Sequence, residues 1–335
     1  MVKFGASLPT CCEGLLYPIP FADVSGIIKI AKAAEELGFD SVWGNDHVTV
    51  QKYVRERWGK APNYYEPLTV LSVVGSVTKK IRIATGIIVL PLREPVILAK
   101  QVATLDQYSA GRFILGVGLG AYREEFEAVF PTMRGANRGA ILDEKLKALR
   151  LLFEKPVATF SGKFVNFKNV ELFPKPLQKP MPIYIGGNSS NDVRRAAELC
   201  NGWFPAVLSP EEIRTSIARM KDIGDKAGRK VSEIDIAPQL VISIGKTHEE
   251  AEKAFKRSGL YTHLLSLKDS TLKNQIANLE ARSIIGTPDE TIRRMEEYID
   301  AGVTHFGSLI FGGDTVDAVL DSMKSFAKEI MPSFR

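Results

Sequence analysis

His47 is the residue whose type and position could do chemistry most directly. It stands beside Asp46, in a polar segment just after the apolar run Phe39 to Trp43. An imidazole next to a carboxylate can shuttle a proton or donate a hydrogen bond to a carbonyl or ring nitrogen; the plainer alternative is a turn histidine bonded to backbone. The other three histidines are placed differently. His305 falls inside an apolar run and reads as buried framework or pocket wall, His248 opens a helix and reads as surface, and His263 lies in a mixed segment. Histidines and carboxylates at ligand spacing are missing, so no metal site is expected. The second feature is a set of glycines after apolar runs: Gly86 with Ile87, Gly118, and Gly186-Gly187-Asn188. Glycine lets the backbone approach a ligand closely. Gly186-Gly187-Asn188-Ser189 leads into a helix, whose exposed amides would suit an anion or phosphate. The bland alternative is a tight strand-to-helix turn. There is no G-x-S-x-G nucleophile elbow and no Walker loop. Redox or lyase-type chemistry is left, with a bound cofactor carrying the electrons and the protein placing it.

The elements around these residues follow a rhythm. Residues 23–37 carry Ile27, Ile30, Ala31, Ala34 and Leu37 at helical spacing, Gly38 ends the helix, and a short strand follows. Helices are expected at about 68–78, 96–108, 138–152, 190–200, 210–227, 249–255, 288–301 and 316–330. Eight strands fall near residues 4, 41, 84, 115, 184, 203, 240 and 307. Alternating strands and helices imply a parallel sheet, and eight units imply an α/β fold of the (β/α)8 TIM-barrel type. A doubly wound open sheet is the competitor. It would show a G-x-G-x-x-G turn after its first strand, where this chain has Pro9-Thr10-Cys11-Cys12. Residues 1–335 are expected to form a single barrel domain, with a small β excursion at about 156–181 and an irregular or helical insertion at about 259–285. In a barrel the site gathers at the C-terminal strand ends, where Asp46, His47, Gly86, Ile87, Gly118, Gly186, Gly187 and Asn188 all fall.

Composition narrows the class. Lys and Arg number 44 against 39 Asp and Glu, a formal charge of +5 over 335 residues. That excess is too small and too dispersed to argue for nucleic acid. Cys11, Cys12 and Cys200 form no zinc spacing and no disulfide framework, which suits a reducing compartment. No apolar run reaches the roughly 18 residues of a membrane span, and no leader pattern precedes the first strand. The expectation is a soluble, cytoplasmic protein acting on a small molecule.

Several segments together resemble the luciferase-like monooxygenase superfamily of barrel oxidoreductases. They are Glu35-Glu36-Leu37-Gly38-Phe39-Asp40-Ser41-Val42-Trp43 with Asp46-His47, Ile83-Ala84-Thr85-Gly86, and Leu90-Pro91-Leu92-Arg93-Glu94-Pro95. Leu105-Asp106, Gly111-Arg112-Phe113, Leu115-Gly116-Val117-Gly118, Pro182-Ile183-Tyr184-Ile185-Gly186-Gly187-Asn188 and Gly202-Trp203 complete the set. The resemblance covers about residues 4–330. Some members bind reduced FMN and oxygenate a substrate. Others use the 8-hydroxy-5-deazaflavin coenzyme F420 and transfer hydride. The Leu-Pro-Leu-Arg-Glu-Pro run and the Ile-Gly-Gly-Asn turn are closer to the F420-dependent branch. The resemblance implies that Asp46 and His47 lie by the ring as catalytic residues. It implies a bulge at Thr85, Gly86 and Ile87, often with a non-prolyl cis peptide, that props the ring. Gly118 joins the cofactor residues. Gly186, Gly187 and Asn188 would hold the phosphate end, helped by backbone after Trp203. A homodimer, and a separate reductase if the cofactor is FMN, are also implied. One departure stands out: sugar-phosphate dehydrogenase members carry an acidic glutamate directly after the glycines of the fourth strand. Here Ala121, Tyr122 and Arg123 follow Gly120, and Glu124 and Glu125 are shifted onto an expected helix. That argues against a glucose-6-phosphate dehydrogenase and leaves a non-catalytic flavin-binding barrel as a third reading. Trp58, Tyr64 and Tyr65 are candidate pocket aromatics.

Overall fold

The computed structural model describes residues 1–267 and 279–335. The first half runs β1 (Lys3–Leu8), α1 (Val24–Glu36), β2 (Ser41–Gly44), α2 (Lys52–Arg57), α3 (Pro67–Val77), β3 (Arg82–Thr85), β4 (Ile88–Val89), α4 (Pro95–Tyr108), β5 (Phe113–Gly118), α5 (Arg123–Val129) and α6 (Arg138–Glu154). The antiparallel hairpin β6 (Ala158–Ser161) and β7 (Asn166–Val170) follows. The second half runs β8 (Ile183–Gly186), α7 (Ser190–Leu199), β9 (Gly202–Phe204), α8 (Pro210–Lys226), β10 (Asp235–Ile236), β11 (Gln239–Ile244), α9 (His248–Arg257) and α10 (Gly259–Ser266). It ends with β12 (Ile284–Gly286), α11 (Pro288–Asp300), β13 (His305–Phe311) and α12 (Val316–Glu329).

Among the described residues the strands other than the hairpin form one parallel sheet, in the order β10-β9-β8-β5-β3-β2-β1-β13-β11-β12, with β4 on β5. The ring closes between the chain after β9 and the start of β11. Gln239 N donates to Pro205 O at 2.8 Å, Val207 N to Gln239 O at 2.9 Å, and Ala206 bridges Gln239. The fold is therefore the expected (β/α)8 barrel. Its strands are buried on both faces, as parallel sheets covered by helices require: every residue of β5 and β13 is buried.

The helices start where the sequence signals them. Capping boxes join Ser189 to Asp192, Ser209 to Glu212 and Thr287 to Glu290. Inside the ring, Trp43 of β2 stacks on Phe204 of β9 at 4.7 Å and meets Tyr184 of β8 and His305 of β13. β2 pairs with none of these three strands, so the rings meet across the barrel interior. The lower end is polar. Ser41 Oγ lies 2.8 Å from His305 Nε2 and accepts from Trp43 Nε1, while Asp235 takes Tyr184 Oη and pairs with Lys3.

The insertion expected at about 259–285 as irregular or helical begins as a helix and is corrected at its far end. Residues 259–266 are the regular helix α10, and Ile284–Gly286 is a strand paired to β11; the remainder in part lies outside the described residues. A three-residue strand is too short to show a period. No helix among the described residues is long and apolar enough to cross a membrane.

Candidate functional site

The C-terminal strand ends surround a cavity of ≈ 390 Å³, within the usual range for small-molecule sites. Asp46, His47, Gly86, Ile87, Gly118, Gly186, Gly187 and Asn188 all line it. Thr85 and Trp203 lie just behind its wall. Thr85 is fully buried, and its hydroxyl donates to Gly116 O at 2.7 Å. Trp203 is fully buried too, and its indole N–H donates to Gly187 O at 2.9 Å. Each holds the wall from behind. After Trp203, as expected of that backbone, the chain brings Phe204, Ala206 and Val207 to the cavity.

The floor is apolar. The Gly86–Ile87 peptide is cis. A Cβ at Gly186 would stand 2.6 Å from Ile87 Cγ2, and one at Gly118 3.1 Å from Ile87 Cδ1. Bare backbone on both strands is what lets the Ile87 side chain lie between them. Asp46 is buried beneath this floor, with both oxygens engaged: one accepts from Val89 N at 3.0 Å, the other from Arg93 at 2.6 Å. Burial pushes its carboxyl up, against the pull of Arg93. Asp46 thus ties β2 to the segment after β3 and holds no oxygen ready for a reacting group.

His47 is tied differently. Its Nδ1 lies 2.7 Å from Glu125 Oε1 and 2.7 Å from Gln51 Nε2, and that amide also donates to Glu125 at 2.5 Å. Tyr64 Oη donates to Gln51 Oε1 at 2.8 Å. The carboxylate makes Nδ1 the protonated nitrogen and leaves Nε2 as the acceptor. Glu125, set aside in the sequence as misplaced, reaches His47 from the first turn of α5. Beside it stand Tyr122 and His263, both on the cavity wall. Tyr53 Oη is 2.9 Å from His263 Nδ1, and Tyr122 Oη 3.1 Å from Ser266 Oγ. Burial, helped by His47, pushes the His263 imidazole down to about 3, so it serves as a neutral group. Gln51, Tyr122, Glu125 and His263 were missed because each sits at or within a short helix, α2, α5 or α10. Trp58 and Tyr64 pack within the loop, Trp58 donating to Gly14 O, and neither they nor Tyr65 line the cavity.

At the start of α7, where the phosphate grip was expected, several polar groups already have partners. Gly187, at φ +135°, adopts a backbone that favours glycine, but its N–H donates to Phe204 O at 3.3 Å. Ser189 N donates to Asp192 Oδ2 at 3.1 Å. Asn188 uses its side chain to hold Ala206, giving and accepting at 2.8 and 2.9 Å. The α7 N-terminus carries the Asp192 carboxylate, itself paired with Arg195 at 2.9 Å.

A closed parallel barrel whose strand-end cleft joins an apolar floor to an oriented histidine belongs to the cofactor-seating barrel enzymes. More narrowly, residues 2–305 match the model of the luciferase-like monooxygenase family, and the chain belongs to that family. It is 27% identical over 326 residues to an F420-dependent glucose-6-phosphate dehydrogenase of Microbacterium testaceum, covering 92% of this chain and 93% of the relative. It is 26% identical over 349 residues to a 5,10-methylenetetrahydromethanopterin reductase of Methanopyrus kandleri, covering 92% and 95%. The crystal structure of the monooxygenase RslO1 from Streptomyces bottropensis superposes with a TM-score of 0.80 at 21% identity, covering 99% of this chain and 100% of that one; that likeness is one of fold.

Proposed function

We propose that this chain is an F420-dependent oxidoreductase that moves a hydride between the deazaflavin and a small organic substrate bearing a hydroxyl or carbonyl group. The observation that carries the reading is the His47–Glu125 pair on the cleft wall. Oxidising a C–OH group to C=O releases one hydride and one proton, and the proton needs an acceptor at the hydroxyl. His47 Nε2 is that acceptor, and in the reverse direction the protonated ring returns the proton. Glu125 holds the tautomer and stabilises the imidazolium, the role an orienting carboxylate plays beside any catalytic histidine.

The residues fit the cofactor. Ile87, Val89 and Leu119 offer an apolar bed, the glycines at 86, 118 and 186 leave room for the Phe204, Trp43 and Ile87 side chains around it, and a cation, Arg138, stands on the same wall. The deazaflavin when bound supplies the ring carbon that takes or gives the hydride. Asp46 is a positioning residue that fixes the bed. The F420-dependent glucose-6-phosphate dehydrogenase named above, a relative over 92% of this chain, supports this reading. So does Glu125: the carboxylate that seemed absent after the fourth strand is present beside His47, and the objection to sugar-phosphate chemistry drawn from its absence loses its basis.

Equilibrium titration with F420 and with FMN, side by side, tests the reading. F420 is expected to bind more tightly, and its absorbance near the visible edge to bleach when an alcohol substrate is supplied. Tighter FMN binding with oxygen consumption would replace the proposal with the monooxygenase alternative. Binding without any redox exchange would replace it with the non-catalytic one.

A further inference from the structure

α10 turns one face to the strand-end cleft. Leu260, His263, Leu264 and Leu267 all line the cavity, and their places in the chain follow the i, i+3, i+4, i+7 spacing of a single helical stripe. Leu15 and Leu16, from the chain after β1, line the same cavity. The two segments are packed together: a Cβ at Gly259, the first residue of α10, would stand 3.1 Å from Leu16 O. The loop that carries them is tied down where Tyr17 Oη donates to Phe311 O at 3.0 Å. These leucines are all buried and form one apolar wall, which gains by taking apolar surface out of water.

His263 stands within that stripe. Its Nδ1 lies 2.9 Å from Tyr53 Oη and 3.5 Å from Tyr122 Oη. The hydrogens of the cluster can be counted. Ser266 Oγ donates to His263 O at 2.7 Å, so at 3.1 Å it accepts from Tyr122 Oη. Tyr53 Oη is left facing Nδ1. A phenol donates better than a neutral imidazole, and an imidazole nitrogen accepts better than a phenol, so the hydrogen runs from Tyr53 to Nδ1. The ring proton is therefore on Nε2, which has no partner among the described residues. His47 has the opposite arrangement, with Nδ1–H turned to Glu125 and Nε2 bare. The two rings are close enough for the charge of His47 to add to the burial that keeps His263 neutral. One imidazole thus offers the cleft an acceptor and the other a donor, and a hydroxyl group needs both.

We propose that α10 is the substrate wall of the cleft: His263 Nε2–H donates to the same substrate oxygen whose proton His47 Nε2 accepts, and the leucine stripe takes the rest of a molecule that is uncharged and apolar. The proposal rests on the reading of the cleft as an oxidoreductase site. In the alcohol-to-carbonyl direction the C–H bond breaks and its electron pair leaves as hydride to the ring, the O–H bond breaks and its proton passes to His47, and C=O forms. The reverse direction returns both. His263 keeps its proton throughout and polarises the carbonyl, as a neutral imidazole can. A phosphate-bearing substrate would meet leucine methyls, a neutral ring and, behind His47, the Glu125 carboxylate, and these solvate an anion worse than water does.

The test uses straight-chain 2-alkanols from 2-propanol to 2-octanol, with glucose 6-phosphate beside them. It reads kcat/KM with F420, and by calorimetry the affinity of the cofactor-loaded protein for the matching 2-alkanones. For the wild type kcat/KM should climb about fourfold per added methylene over the first members and exceed that for glucose 6-phosphate. Leu264→Asn should flatten the climb. His263→Phe, which keeps a ring and removes the donor, should lower kcat/KM for every alcohol by about 10- to 100-fold. It should leave the climb intact and F420 affinity within about twofold; a merely structural role would disturb both. His263→Gln, whose amide can donate, should restore part of the loss. Should His263→Phe not fold, Tyr53→Phe takes its place: it frees Nδ1 to take the proton and should cost about tenfold. A flat alkanol series, a preference for glucose 6-phosphate, or unchanged kinetics in the His263→Phe or substituted Tyr53→Phe protein overturns the proposal and leaves the F420 reading standing. If FMN binds in place of F420 and oxygen is consumed, while alkanone affinity still climbs with chain length and falls in the variant, the deazaflavin reading fails and this one stands. A loaded protein that neither turns over an alcohol nor binds an alkanone ends this proposal.

Discussion

At the scale of single residues, the proposed chemistry rests on a division of labour between two adjacent side chains. Asp46 faces inward to backbone and arginine, and His47 faces the cleft with Glu125 behind it. Replacing Glu125 by Gln should lower kcat about 10- to 100-fold, because the amide cannot stabilise the imidazolium, while cofactor affinity stays put. His47→Ala should cost more, about 10²- to 10⁴-fold, again with the cofactor still bound. Unchanged turnover in either variant, with substrate saturating, would remove the pair from the mechanism. Asp46 and His47 were legible in the sequence because a strand-end position marks them. Glu125 was not, since its partner is 78 positions away and nothing in linear spacing joins the two.

At the scale of elements, the long helices and the strands were readable, and the short helices were not. α1 carries its apolar positions at helical spacing over 13 residues, and α11 announces itself with Thr287, Pro288 and Glu290. α2 has 6 residues and α5 has 7, too few turns for a period to emerge. Yet these two, with α10, deliver Gln51, Glu125 and His263 to the site. The junction of α6 with α7 depends on Arg195, which bonds Asp143 and Gly139 on one helix and Asp192 on the other. Arg195→Met should destabilise the fold by about 3–5 kcal/mol, the cost of leaving buried carboxylate without its partner. A urea midpoint equal to that of the wild type would show the junction to be held by packing alone.

At the scale of the whole molecule, the barrel was legible because one phrase recurs: helix, glycine, short apolar strand, polar loop. The closing seam was not, since it is made by backbone bonds at Pro205, Val207 and Gln239, and no side-chain pattern encodes them. Stability against acid is also a property of the ring as a whole. Burial depresses His305, 1% exposed at the polar end, against the pull of Asp235. The unfolded chain would protonate that ring near pH 6.5 while the folded one keeps it neutral. The unfolded state therefore gains protons first, and stability falls as pH drops below about 6.5. His305→Gln should flatten that slope by up to about 1.4 kcal/mol per pH unit, read from denaturant midpoints at several pH values; identical slopes would mean the ring does not titrate on unfolding. The seam has a consequence of its own. Ala206, Val207 and Gln239 close the hoop and at the same time border the cleft, so an occupant presses on the last staves to be joined. Amide hydrogens at 207 and 239 should exchange sooner than those of β5 in the empty protein and slow down when the ligand enters. The barrel then behaves like a cask tightened by what it contains.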